Sequence, residues 1–102
     1  MKTQVRVQLD RLQVVLHRYQ LWETEAPSTE KLASTQPFAL DTLTATQWLQ
    51  WIFIPRMHAL LDANAELPTN FAVSPYLEES LKNERYLAEL VQPIVEIEKL
   101  LK

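Results

Sequence analysis

The chain has 102 residues, 47% hydrophobic and 23% charged, with a net charge of −3. These proportions exclude a disordered polypeptide and support a single domain, 1–102, with one modest core. The acidic balance argues against direct RNA contact. Cysteine and glycine are absent, which excludes thiol catalysis, disulfides, cysteine metal sites and the glycine-rich loops that hold phosphates or dinucleotides.

The first helix is expected from Thr3 to Leu21. Val5, Leu9, Leu12, Leu16 and Tyr19 recur at four-three spacing with Val15 beside them, as an amphipathic helix requires. Lys2, Arg6, Arg11 and Arg18 against Asp10 make this segment locally basic. Such a run reads as a solvated face, with a weak contact to RNA or to an acidic protein as the sharper alternative. The opening residues lack the continuous apolar segment of a secretory signal; the absence of cysteine fits a cytoplasmic protein, which is the expectation.

The stretch from Trp22 to Leu43 is polar, acidic and punctuated by Pro27 and Pro37. Roughly twenty residues is long for a connection in a small domain. Ser28 can cap a single helical turn through Leu32. Pro37, Phe38, Leu40 and Leu43 are apolar enough to fold back on the bundle, which predicts an ordered wrap. Glu23, Glu25 and Glu30 are expected to face water.

The second helix, Leu43 to Leu61, is the element around which the rest is organised. Thr44 and Gln47 form a capping box, each side chain satisfying a free backbone donor. At about 100° per residue, Ala45, Trp48, Leu49, Ile52, Phe53, Ala59 and Leu60 share a broad apolar arc. Gln47, Trp51, His58 and Asp62 fall opposite, in a narrow polar sector. A helix this apolar belongs at the centre of a bundle. Pro55, inside it, is expected to bend it. Gln50, Arg56 and His58 interrupt the run, which falls short of the roughly 20 apolar residues of a membrane span.

Asn64 to Val73 forms a second connection, with Leu67 and Phe71 as plugs and Pro68 blocking helix. Ser74 is expected to cap a third helix with Pro75 at its first position, Glu78 and Glu79 complementing the dipole, and an end near Asn83. A fourth helix, Arg85 to Leu101, carries Leu87, Leu90, Ile94, Ile97 and Leu101 at helical spacing, with a bend at Pro93. One kinked rod spanning both helices is the alternative. Without glycine, Asn64, Asn70 and Asn83 are the natural left-handed helix stops. The expected architecture is all-α, a small antiparallel four-helix bundle with a long ordered loop between helices 1 and 2.

No constellation spells out a reaction. His17 and His58 lie on different helices without further ligands at metal-binding spacing, and no cofactor motif is present. His58 and Asp62, four residues apart, can pair on a helix surface; a structural or solvated histidine is expected rather than a catalytic one. Arg56 projects from the apolar arc. It must snorkel or meet a carboxylate, for which Asp41, Glu78 and Glu79 are available. A structural ion pair and an anion-binding site are the two readings. Trp51 is either an exposed interface residue or roofed by the long loop through Phe38 or Leu40.

The segments STQPFALDTLTATQWLQWIFIPRMHALLDANAELP and FAVSPYLEESL resemble the bacterial YqcC-like family over nearly the whole chain, most specifically through QPF, DT, WLQW and IPRM in this order. The resemblance implies a small helical bundle. It also implies an association with tRNA pseudouridine synthase, beside which such proteins are commonly encoded. Pseudouridine synthases use a catalytic aspartate on a mixed α/β scaffold; Asp41 and Asp62 have no such setting, so that chemistry is not carried over. The leading expectation is a non-catalytic accessory module, monomeric or a weak homodimer, that binds another protein. Its expected surface joins Gln36, Phe38 and Asp41 of the loop with Gln47, Trp51, Arg56 and His58. A small-ligand or anion-binding protein anchored by Arg56 is the alternative.

Overall fold

The four-three spacing of the N-terminal apolar residues produces α1 (Lys2–Arg18), which buries Val5, Leu9, Leu12, Val15 and Leu16. The computed structural model describes residues 1–102. α1 ends earlier than Leu21 because Gln20 takes the left-handed region at φ 60°. The amides of Leu21 and Trp22 then both donate to the Leu16 carbonyl, at 2.8 and 3.2 Å. This satisfies a carbonyl that the helix end would otherwise leave free.

The long connection is ordered. Ser28 caps the single turn α2 (Thr29–Leu32) by accepting from the Lys31 amide at 3.3 Å. A 3-10 turn follows at Pro37–Ala39, where Phe38 and Ala39 both have left-handed backbone, at φ 58° and 48°. Each such residue with a Cβ costs about 1–2 kcal/mol. Packing offsets the strain. The Phe38 ring stacks on Tyr76 at 4.2 Å and meets Trp48 edge-on at 5.0 Å, while Ala39 is buried.

The capping box of Thr44 and Gln47 starts the central helix as expected. It runs through α3 (Ala45–Trp48), a π-helical segment (Leu49–Phe53) and α4 (Ile54–Asp62). The amide of Ile54 reaches back to the Leu49 carbonyl. The wide turn lies immediately ahead of Pro55, whose ring would clash with a carbonyl in regular α-helix. Within it Leu49, Gln50 and Phe53 are buried.

Asn64 and Asn70 take left-handed backbone at φ 52° and 56°, as the missing glycines require; Asn83 does not. α5 (Ser74–Ser80) begins with Pro75 in its first turn, but Ser74 is itself helical and its side chain is not the cap. The Glu98 carboxylate caps this end instead, accepting from the amides of Val73 and Ser74 at 2.7 and 2.9 Å and from the Ser74 hydroxyl at 2.7 Å. Glu78 and Glu79 lie beyond the first turn and are exposed. α5 stops at Ser80, short of Asn83, and α6 (Leu87–Leu100) is a separate helix containing Pro93.

α1 packs chiefly on α6 and also on α4, and α5 packs on α6. The fold is therefore an all-α, small antiparallel four-helix bundle of α1, the central helix, α5 and α6, with an ordered loop between the first two. A contiguous cluster of 21 buried apolar residues fills its interior. No helix is long and apolar enough to cross a membrane.

Candidate functional site

The polar side of the central helix is not open to solvent as a unit; it grips the long connection at Glu23. Gln50, 3% exposed, is the buried polar residue of the core. Its side-chain oxygen accepts from the Glu23 amide at 2.8 Å, and its nitrogen donates to the Glu23 carbonyl at 2.7 Å. The Glu23 carboxylate in turn accepts from the Gln47 side chain at 3.1 Å and from the Trp51 indole N–H at 2.9 Å. Glu23 is therefore held through main chain and side chain, contrary to its expected place in water. Next to it, Trp22 stacks on His17 at 4.7 Å. Trp51 is half-buried, and the residue that engages it is Glu23 rather than Phe38 or Leu40.

Phe38 contributes to a different cluster. With Tyr76 and Trp48 it forms an aromatic stack that continues through Phe53 to Phe71, at ring separations of 5.5 and 6.3 Å. Burial raises the Tyr76 hydroxyl above its ordinary pKa, although a hydrogen bond from Ser80 opposes this. Leu40, just past the strained turn, projects into solvent at 64% exposure. Gln36 and Asp41 are exposed at the two ends of this turn. The Ser34 hydroxyl donates to Asp41 and accepts from the Gln36 amide at 3.1 Å.

Arg56 departs from expectation. It is exposed, and the ion pairs of the chain use Arg6, Arg18, Lys82 and Lys99 instead. Asp41 is engaged by Ser34, so the anticipated Arg56–Asp41 bridge is not formed. The π-helical turn changes the wheel angle at which Arg56 leaves the helix, which is why the regular 100° count misplaced it. Arg56 borders a small cavity of about 190 Å³ lined by Trp48, Phe53, Met57, Leu60, Pro68, Phe71 and Val73. His58 is half-buried, and Asp62 pairs with Arg6 at 2.8 Å rather than with His58. Two of the four basic residues of α1, Arg6 and Arg18, pair with carboxylates on neighbouring helices. Beyond the Arg6 pair, Lys2 donates to Asn64, and Arg18 and Tyr19 both donate to Glu89. The Tyr19 bond, then Arg18, holds the Glu89 carboxyl below its usual range against some desolvation; the Glu89 bond raises the Tyr19 hydroxyl.

The structure thus brings Gln47 and Trp51 together at Glu23, sets Phe38 on Trp48 and Tyr76, and leaves Gln36, Asp41 and Arg56 exposed. Glu23 and Gln50 are the members that sequence reasoning missed. A signal existed: Gln47, Gln50 and Trp51 lie at i, i+3 and i+4 in an apolar helix, so their polar groups share a face and need partners opposite.

A family model described as tRNA pseudouridine synthase C (DUF446) matches residues 4–100. The chain belongs to the YqcC-like DUF446 family. An uncharacterized protein of Haemophilus influenzae is 43% identical over 100 residues, covering 98% of this chain and 94% of that protein. The solution NMR structure of YqcC from E. coli matches with a TM-score of 0.75 at 42% identity, covering 94% of this chain and 88% of the other. A longer protein, tRNA pseudouridine synthase C of Pectobacterium carotovorum, is 43% identical over 70 residues, which are 69% of this chain but 19% of that protein. Similarity to this chain therefore extends over nearly the full length of two relatives and over 70 residues of a much longer third.

Proposed function

We propose that this YqcC-like chain is a non-catalytic helical accessory module that binds a tRNA pseudouridine synthase. The observation that carries the reading is the Pectobacterium relative, in which a segment similar to 69% of this chain makes up 19% of a longer protein bearing that enzyme's name. A small helical unit that is separate in one protein and built into a larger one in another is suited to act beside the larger part. The aspartates weighed as catalytic candidates support this reading. Asp41 and Asp62 are both exposed, and they are engaged by Ser34 and Arg6.

The face we assign to the partner runs from Gln36, Phe38 and Asp41, with the projecting Leu40, to Gln47, Trp51, Arg56 and His58. Anion binding at Arg56 as the main function is the weaker reading. The adjoining cavity, about 190 Å³, lies below the roughly 300–1,000 Å³ of small-molecule sites.

Two measurements on purified components test the proposal. The chain and the tRNA pseudouridine synthase of the same organism should co-elute in size-exclusion chromatography. The chain alone should form no pseudouridine in unmodified tRNA. Separate elution removes the partner claim, and pseudouridine formed by the isolated chain removes the non-catalytic claim.

A further inference from the structure

The cavity beside Arg56 has features that the proposed accessory role does not explain. Its apolar walls come from Trp48, Phe53, Met57, Leu60 and Phe71, and Arg56 is the charged residue among those lining it. Trp48, Phe53 and Met57 are themselves buried, so the cavity is rooted in the core. Its outer wall, the segment around Phe71, is pinned on both sides. The Asn70 amide donates to the Leu101 carbonyl at 2.9 Å, and the Val73 amide donates to Glu98 at 2.7 Å. A preformed apolar pocket is the kind of feature into which interface anchors insert.

The guanidinium at its border is exposed and has no carboxylate partner within the chain. A planar guanidinium of this kind pairs best with a carboxylate, through two parallel hydrogen bonds. A nucleic-acid surface would cluster several cations along a backbone path; here one cation borders an apolar hole. At about 190 Å³ the hole has room for one large side chain rather than a drug-sized ligand.

We infer that this pocket receives one large apolar side chain, with an aspartate or glutamate beside it, from a protein partner. The pocket supplies contact area, and Arg56 selects for the acid and fixes the orientation of the incoming segment. This inference rests on the proposed binding to tRNA pseudouridine synthase and names the chemistry of the segment that would dock.

Isothermal titration of the synthase with the wild-type chain, Arg56→Glu, Arg56→Lys and a Lys31→Glu control tests it. Arg56 is exposed and unpaired, so circular dichroism should show these variants folded. The expected result is at least about a ten-fold weaker Kd for Arg56→Glu, a smaller loss for Arg56→Lys, and no change for Lys31→Glu. Raising salt should weaken wild-type binding more than that of Arg56→Glu. If the synthase binds the wild type and Arg56→Glu equally, the inference is overturned and the accessory role stands. If Arg56→Glu and Lys31→Glu weaken binding alike, the contact is a general charge effect and the inference is again overturned. If the synthase does not bind the wild type, both fail together.

Discussion

Replacing Gln50 by leucine separates the shape of this side chain from its hydrogen bonds. Leucine is close in size and apolar, so the core loses little volume. What it removes is the pair of bonds to the Glu23 amide and carbonyl, at 2.8 and 2.7 Å. With Gln50 only 3% exposed, water does not replace them in place. A stranded buried polar group costs about 1–3 kcal/mol. Two such groups set a ceiling of about 6 kcal/mol. The connection can relieve part of that by swinging toward solvent, so about 2–3 kcal/mol is expected. That movement would also loosen the Glu23 carboxylate from Gln47 and Trp51. Urea unfolding followed by tryptophan fluorescence should show a lowered midpoint with an unchanged slope. Amide exchange at Glu23 should accelerate well ahead of that at Leu9 or Leu12. An unfolding free energy within about 0.5 kcal/mol of wild type, with Glu23 exchange unchanged, would refute the clamp.

Further outcomes follow from the same structure. Trp48→Ala, which empties a site 8% exposed, should cost about 3–5 kcal/mol, and Trp51→Ala about 1–2 kcal/mol, chiefly its bond to Glu23; equal denaturant midpoints would contradict the difference in their settings. Glu98→Ala should cost about 2 kcal/mol by uncapping α5, with Glu98→Gln intermediate, and an unchanged midpoint would place the cap elsewhere. The Glu89 carboxyl, lowered first by Tyr19, contributes stability that is present above its unfolded pKa and is lost as pH falls through the lower folded value. In Tyr19→Phe its NMR-detected titration should move up toward the ordinary carboxylate range; an unmoved titration would show that Tyr19 is not the cause.

Where the sequence was read correctly, the reason was local. The spacing of Val5, Leu9, Leu12 and Leu16, the capping box at Thr44 and Gln47, the Ser28 cap and the left-handed Asn64 and Asn70 all follow from residues within a few positions of one another. The misreadings involve partners distant in sequence or a change of helical period. Glu98 caps α5 from the neighbouring helix, where a serine before a proline pointed to Ser74. Glu23 looked like a solvated acid because its partners, Gln47, Gln50 and Trp51, lie more than twenty residues away. Arg56 was placed by a regular α-helical count, which the π turn ahead of Pro55 invalidates. Gln20, Phe38 and Ala39 have left-handed backbone with no side-chain signature for it. At Phe38 and Ala39 the tertiary packing, above all Phe38 on Tyr76, decides the conformation; at Gln20 the left-handed backbone accompanies the helix-end bonds of Leu21 and Trp22 to the Leu16 carbonyl.

Titration of the isotopically labelled chain with unlabelled tRNA pseudouridine synthase, followed by amide NMR, tests the accessory role most directly. It reads association and location in one experiment. Saturable changes are expected, concentrated at residues 36–41, at Trp51 and His58, and at Arg56, Leu60 and Phe71 around the small cavity. The amides of α1 that face α6 should stay in place. A spectrum unchanged at saturating synthase would contradict the central claim.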